Sequence, residues 1–242
     1  MAEWFHSWFD SSYYHLLYQH RDDLEAEMFI KRLFPEIDLS PNRKILDLAC
    51  GKGRHAQIMN KMGHFVTGID LSKSNIEEAN QVSAEDLEFF VHDMRQPFRE
   101  GFYDLITNLF TSFGYFETID EHARVLENIR FNLADEGHFI LDYLNPAYVK
   151  KHLVEREHKK IKGIGFTITR GIEEDVVVKR IEVEDGERKH FFEERVRLFS
   201  HGDFLKLFSQ FGFEVLEVWG NYDLSKFSPS SPRQIIHTKS VV

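Results

Sequence analysis

The chain has a single cysteine, Cys50, in 242 residues, so an internal disulfide is impossible and the composition fits a reducing compartment. Proline is scarce at six residues, glycine is moderate at 14, and no repeat occurs at any period, which excludes collagen-like, solenoid and low-complexity architectures. No stretch approaches the roughly 18 consecutive apolar residues of a membrane span. The opening MAEWFHSWFDSS also lacks the basic start and apolar run of a secretory signal. A cytoplasmic protein with no membrane partner is expected. Basic residues are in deficit, 30 Lys plus Arg against 40 Asp plus Glu for a formal net charge of −10. Tracking a phosphate backbone needs clustered cations, so no nucleic-acid partner is expected. The 13 histidines fall into no H-E-x-x-H or Cys/His spacing, and no metal is expected.

What the chain has in quantity is apolar mass: 42% hydrophobic residues, with 23 Phe, 8 Tyr and 3 Trp. That is enough for one packed core at this length. Helical spacing over residues 4–34 predicts two short helices, the second ended by Pro35. From Lys44 onward strand and helix signals alternate. Strands are expected at 44–49, 64–69, 87–91, 103–107 and 138–142, and helices at 54–62, 72–82 and 120–133. This alternation implies an α/β fold with a parallel sheet covered on both faces, because right-handed crossovers put the helices there. After Pro146 the grammar changes to imperfect period-two runs at 164–172, 176–184 and 188–199, with Asp185-Gly186 as a hairpin signal. A helix at 200–211 and strands at 213–219 and 234–239 follow. The last two strands are joined by a loop and are therefore expected to be antiparallel. The chain accordingly divides into residues 1–146, an antiparallel insert at 147–199, and a completion of the core at 200–242.

In an open α/β sheet a ligand sits beyond the carboxyl ends of the strands, which directs attention to the loop after the first strand. It reads DLACGKGRHA from Asp47 to Ala56. Gly51, Gly53 and Ala56 fit G-x-G-x-x-G/A, and Asp70 ends the next strand 19 residues after Gly51, where a carboxylate can accept both hydroxyls of a ribose. A dinucleotide would satisfy this much. Asp47 separates the possibilities, because a pyrophosphate has no use for a carboxylate beside the glycine turn. S-adenosylmethionine carries an ammonium and a sulfonium, and for these an acid is favourable. Asp93 follows the third strand, placed to accept from an adenine amino group while Met94 covers the ring.

The segments ILDLACGKGRHA, GIDLS, VHDM and YDLITNLFTSFGYF, in this order from about Asn42 to Asn145, resemble the motifs of the class I S-adenosylmethionine-dependent methyltransferases. The resemblance implies a doubly wound, Rossmann-like seven-stranded sheet of order 3-2-1-4-5-7-6, with strand 7 antiparallel. It implies S-adenosylmethionine as cofactor, with Asp47, Ala49, Gly51 and Gly53 at its methionine end, Asp70 and Leu71 at its ribose, Asp93 and Met94 at its adenine, and Asn108 beside the methyl. Tyr14, His15, Leu16, Leu17 and Tyr18 with Arg21, together with the insert, are similar to small-molecule members such as the amino-sugar N-methyltransferases. In these an N-terminal tyrosine, here Tyr14, closes over the cofactor, and the insert roofs the substrate cavity or joins two copies. Tyr18, Tyr115 and Asn145 are then candidate substrate residues, and the expected assembly is a monomer or homodimer. Lys52 stands where the family usually has threonine.

Methyl transfer needs alignment in a dry pocket more than covalent help from the protein. Proton acceptors for the nucleophile could be Tyr14, Tyr18, His15, Asn108, Tyr115 or Asn145, and the residues alone do not choose a catalytic one. The plainer readings are that the tyrosines pack with wet hydroxyls, Cys50 is a small buried hydrophobe, Asp104 serves folding, and residues 173–175 form a solvated acidic turn. Phe110, Phe113, Tyr115 and Phe116 divide between core and pocket wall. The leading expectation is a methyltransferase with a small-molecule acceptor, N- or O-methylation undetermined. The alternatives are an NAD(P)-dependent oxidoreductase and a non-catalytic module that keeps the cofactor.

Overall fold

A computed structural model describes residues 3–19 and 23–241. Arg21 lies outside the described residues. Three helices lead, α1 (Trp4–Phe9), α2 (Ser12–Leu17) and α3 (Asp23–Glu36). The core then alternates through β1 (Lys44–Leu48), α4 (Arg54–Lys61), β2 (Phe65–Asp70), α5 (Lys73–Ala79), β3 (Leu87–Val91), β4 (Tyr103–Asn108), α6 (Ile119–Asn132) and β5 (Leu133–Leu144). After α7 (Pro146–His152) come β6 (Arg156–Ile161), β7 (Ile164–Glu173), β8 (Val176–Asp185) and β9 (Arg188–Arg197). The chain closes with α8 (His201–Gln210), β10 (Phe213–Trp219) and β11 (Arg233–Ser240).

Seven strands form the main sheet in the order β3-β2-β1-β4-β5-β11-β10, which is the expected 3-2-1-4-5-7-6. β11 runs antiparallel to both β5 and β10, and the other pairings are parallel. Alternating side chains feed two cores, as the strand period of two requires. Leu46, Ile106, Phe139, Leu141 and Ile236 pack toward α6 and α8, while Ile45, Leu105, Ile140 and Ile235 pack toward α3, α4 and α5. The insert is a separate antiparallel sheet, β6-β7-β8-β9. Its Phe166, Ile168, Ile181 and Val183 join Trp8 and Leu17 in a third cluster, so the N-terminal helices are packed between insert and core.

Two helix starts carry full capping boxes, Thr118 with Glu121 and Ser200 with Asp203. Thr118→Ala removes the hydroxyl's bonds with Glu121 and leaves the one that the backbone N–H donates, and a loss of about 1 kcal/mol in a urea titration is expected.

The leading region departs from expectation. It folds as three helices, and Pro35 lies inside the last turn of α3 rather than ending it. Leu24 and Met28, although at helical apolar spacing, are exposed, whereas Phe29, Ile30 and Leu33 are buried. β6 and α7 were absent from the sequence reading. Within the described residues no helix is long and apolar enough to cross a membrane.

Candidate functional site

The carboxyl ends of β1, β2 and β4 open on one cavity of about 390 Å³, closed from the other side by α1 and α2. The size is that of a small-molecule site. Its floor is the loop after β1. Ala49, Gly51 and Gly53 all have positive φ, +56°, +56° and +76°. A Cβ on Gly53 would stand 2.4 Å from Phe89 Cε1, whereas one on Gly51 would meet nothing. Gly53 is therefore fixed by packing as well as by conformation, and Gly51 by conformation alone. The Gly51 N–H donates to Asp70 Oδ2 at 2.9 Å, and the Ser72 N–H donates to Asp70 Oδ1 at 2.8 Å. Each oxygen of Asp70 keeps acceptor capacity toward the cavity. Burial pushes its carboxyl above the ordinary value, against the two backbone N–H groups that hold it down.

Asp47 is fully buried beneath this floor. Thr107 donates its hydroxyl to Oδ1 at 3.0 Å, and Oδ2 has no partner among the described residues. Burial raises its carboxyl to about 7, with Thr107 opposing. Asn108 also lies beneath the floor. Its Nδ2 donates to the Leu48 carbonyl at 3.1 Å while Oδ1 is unpartnered among the described residues. Cys50 is buried, as its plain reading expected, and burial pushes its thiol well up.

Of the residues singled out from the sequence, the structure brings Tyr14, Ala49, Gly51, Asp70, Leu71 and Met94 to the cavity wall, together with Tyr18 and Tyr115. Asp47, Gly53 and Asn108 are not among the lining residues. Asp93 is not there either, and its carboxylate is engaged elsewhere. Arg95 donates to it through the backbone N–H, Nε and Nη2 at 2.8–3.1 Å. The same guanidinium reaches Glu3 and Glu121 and lies over the Phe116 ring. Asp93 thereby ties the strand end to the N-terminal segment, and its neighbours His92 and Met94 face the cavity. Asn145 caps α7, accepting from the Ala147 N–H at 3.1 Å, and donates Nδ2 to carbonyls of Ser228, Pro229 and Ser231. It holds a loop rather than a ligand surface.

The sequence reading passed over Asp10, which lines the cavity and accepts from the Ser72 and Ser74 hydroxyls. Arg54 and His55 are further cavity residues without a sequence signal, whereas Phe110, Tyr115 and Phe116, expected to divide between core and wall, all line the cavity. The spacing Asp10 to Ser72 crosses 62 positions, so no local pattern marks it. His15 lines the cavity, half-buried, and burial with the charge of Lys52 holds its pKa down. Tyr18 donates to Glu194 Oε1 at 2.8 Å and accepts from Lys179. Tyr115 stacks on Phe9 with centroids 5.4 Å apart.

A family model described as a methyltransferase domain matches residues 18–218, which takes in β1 to β9, all but the last residue of β10, and every cavity-forming strand. The chain belongs to the methyltransferase-domain family. Among solved structures this chain is similar to an S-adenosylmethionine-dependent methyltransferase from Clostridium acetobutylicum ATCC 824, with TM-score 0.80, 22% identity, and coverage of 95% of this chain and 96% of that one. It is also similar to S-adenosylmethionine-bound CalS10, an amino pentose methyltransferase from Micromonospora echinaspora, with TM-score 0.72, 17% identity and coverage of 96% and 98%. At these identities both show the shared fold. A candidate methyltransferase of Geobacillus sp. (strain WCH70) is 28% identical over 137 residues. That match covers 53% of each chain, so the chain spans about half the length of this curated relative.

Proposed function

We propose that the protein transfers a methyl group from S-adenosylmethionine to a small-molecule acceptor. The observation that carries this reading is the pair of carboxylates on adjacent strands, Asp47 buried and Asp70 partly buried at its strand end. Asp70 is anchored by two backbone N–H groups with acceptor capacity left over, and Asp47 has a bare Oδ2 beneath the glycine turn. A ribose diol and an ammonium suit these groups, whereas a pyrophosphate would meet two carboxylates. The residues present therefore fit the cofactor. Ala49 and Gly51 would line its methionine end with Asp47 and Gly53 below, Asp70 and Leu71 would hold the ribose, and His92 and Met94 the adenine. When bound, S-adenosylmethionine supplies a methyl group already activated by the sulfonium.

The rest of the work falls to the chain. Phe9, Tyr14, Tyr18 and Tyr115 make an aromatic wall on the acceptor side that excludes water, and the insert behind Tyr18 forms the roof of that side. Burial keeps His15 neutral at pH 7 and able to accept a proton from the acceptor. It is the one histidine among the six candidates and one of four, with Tyr14, Tyr18 and Tyr115, that reach the wall. Asn108 supports the floor through Leu48.

Calorimetry with S-adenosylhomocysteine tests the reading. Wild-type protein is expected to bind, and Asp70→Ala is expected to lose about 1–3 kcal/mol of affinity, since it removes an acceptor of two ligand hydroxyls. Binding of NADH in preference, or equal affinity in wild type and variant, overturns the assignment.

A further inference from the structure

Beside the glycine loop stands a charged cluster that the reading above leaves unused. Asp142, near the end of β5, is fully buried. Its carboxylate accepts from Arg233 Nε of β11 at 2.7 Å, with Nη2 of the same guanidinium in ion-pair contact at 2.6 Å, from the Tyr222 hydroxyl at 3.0 Å, and from the Phe110 N–H at 2.9 Å. Its backbone carbonyl accepts from the Thr111 N–H at 3.2 Å. Arg233 Nη2 also donates to Thr111 Oγ1 at 2.8 Å. Every one of these bonds converges on the same two backbone positions or on the group that holds them.

Those positions are strained. Phe110 has φ +61° and Thr111 φ +63°, the left-handed region that is costly for a bulky or β-branched residue. Two such residues in succession persist only where the surroundings impose them. The outcome of the strain is a stack. The Phe110 ring lies between Tyr222, centroids 5.2 Å apart, and His55, 4.9 Å apart, with the Arg54 guanidinium 5.1 Å from its centre. Arg54 and His55 open α4, directly after the glycine turn, and both line the cavity with Phe110.

We propose that Asp142, Arg233 and Tyr222 are positioning residues for the amino-acid end of the cofactor site. By holding residues 110 and 111 in a strained turn they press Phe110 against the first turn of α4 and fix the wall where the glycine loop ends. The adenosine end is built from the ends of β2 and β3 and does not depend on this unit. The inference rests on the methyl-transfer reading and adds to it a role for the reversed terminal hairpin, which supplies two of the three residues.

The test separates the two ends of the ligand. S-adenosylhomocysteine carries the amino-acid end, and 5′-methylthioadenosine carries the adenosine and sulfur without it. Both are titrated calorimetrically into the full chain, as wild type, Tyr222→Phe and Arg233→Lys. Tyr222→Phe keeps the ring and removes one donor to Asp142, and Arg233→Lys keeps the charge and removes the fork. Each variant is expected to bind S-adenosylhomocysteine roughly tenfold more weakly while 5′-methylthioadenosine changes less than about twofold. Equal losses for both ligands would mean general loosening and overturn the proposal, as would unchanged S-adenosylhomocysteine affinity in both variants. A wild-type protein that binds neither ligand removes the cofactor reading itself, and this proposal with it.

Discussion

Asp47→Asn is expected to stabilise the ligand-free protein at pH 8 by about 2 kcal/mol and to weaken its binding of S-adenosylhomocysteine at least tenfold. The Asp47 carboxyl sits at about 7 in the folded chain because burial disfavours its charged form, while in the unfolded chain it ionises near 4. Below pH 4 both states are protonated and the group costs nothing. Between 4 and 7 the unfolded state releases its proton first, so stability falls as pH rises. Above 7 both are ionised and the full penalty stands. The amide removes that penalty and still accepts from Thr107. For the wild type, affinity for a ligand carrying an ammonium should increase with pH up to about 7 and then level, because the partner is a carboxylate only above that point. The variant should show a flat profile. Urea titrations and calorimetry at pH 5.5, 7 and 8.5 check both halves, and a variant less stable than wild type at pH 8 would place the cost elsewhere.

The largest loss of stability is expected from Asp142→Ala. It leaves the Arg233 guanidinium, on a side chain only 19% exposed, without its counter-ion and strips the partner from the Tyr222 hydroxyl and the Phe110 N–H. Removing one member of a buried pair costs about 3–5 kcal/mol, on the order of 10 °C in Tm for a chain of this size. Asp104 provides the contrast at the far end of the sheet. Its pair with Arg43 is partly exposed, at 30% and 46% of the side chains, and such pairs are worth under about 1 kcal/mol. Thermal melts of Asp142→Ala and Asp104→Ala should differ accordingly, and similar melts would mean that water reaches Arg233.

The parts of the site legible in the sequence were those set by neighbours along the chain. The glycine turn and Asp70 are tied by a strand of fixed length, so spacing alone placed them on one edge. The alternation gave a parallel sheet covered on both faces, and the strand order came from the family resemblance. Legibility failed where a residue's partner lies far along the chain or its polarity misleads. β6 was missed because Arg156, Lys159 and Lys160 make it a polar outer strand with half its residues exposed, giving no apolar run to find. Pro35 was read as a stop, but a proline in a last turn removes little from a helix whose buried face is already made by Phe29, Ile30 and Leu33. Asp93 could be placed at its strand end, but not that Arg95, two residues on, would occupy both of its oxygens. Asp142 and Arg233 are 91 positions apart, and nothing near either announces the other.

The cavity wall made by α1 and α2 is fastened by β8 and β9 of the insert. Trp8 donates its indole N–H to Glu194 at 2.7 Å, and Tyr13 its hydroxyl to Asp185 at 2.9 Å, across 186 and 172 positions. Closing such long loops is slow compared with forming local structure. A folding chain that has already built β1 to β5 therefore still lacks a sealed pocket until β8 and β9 dock on α1 and α2.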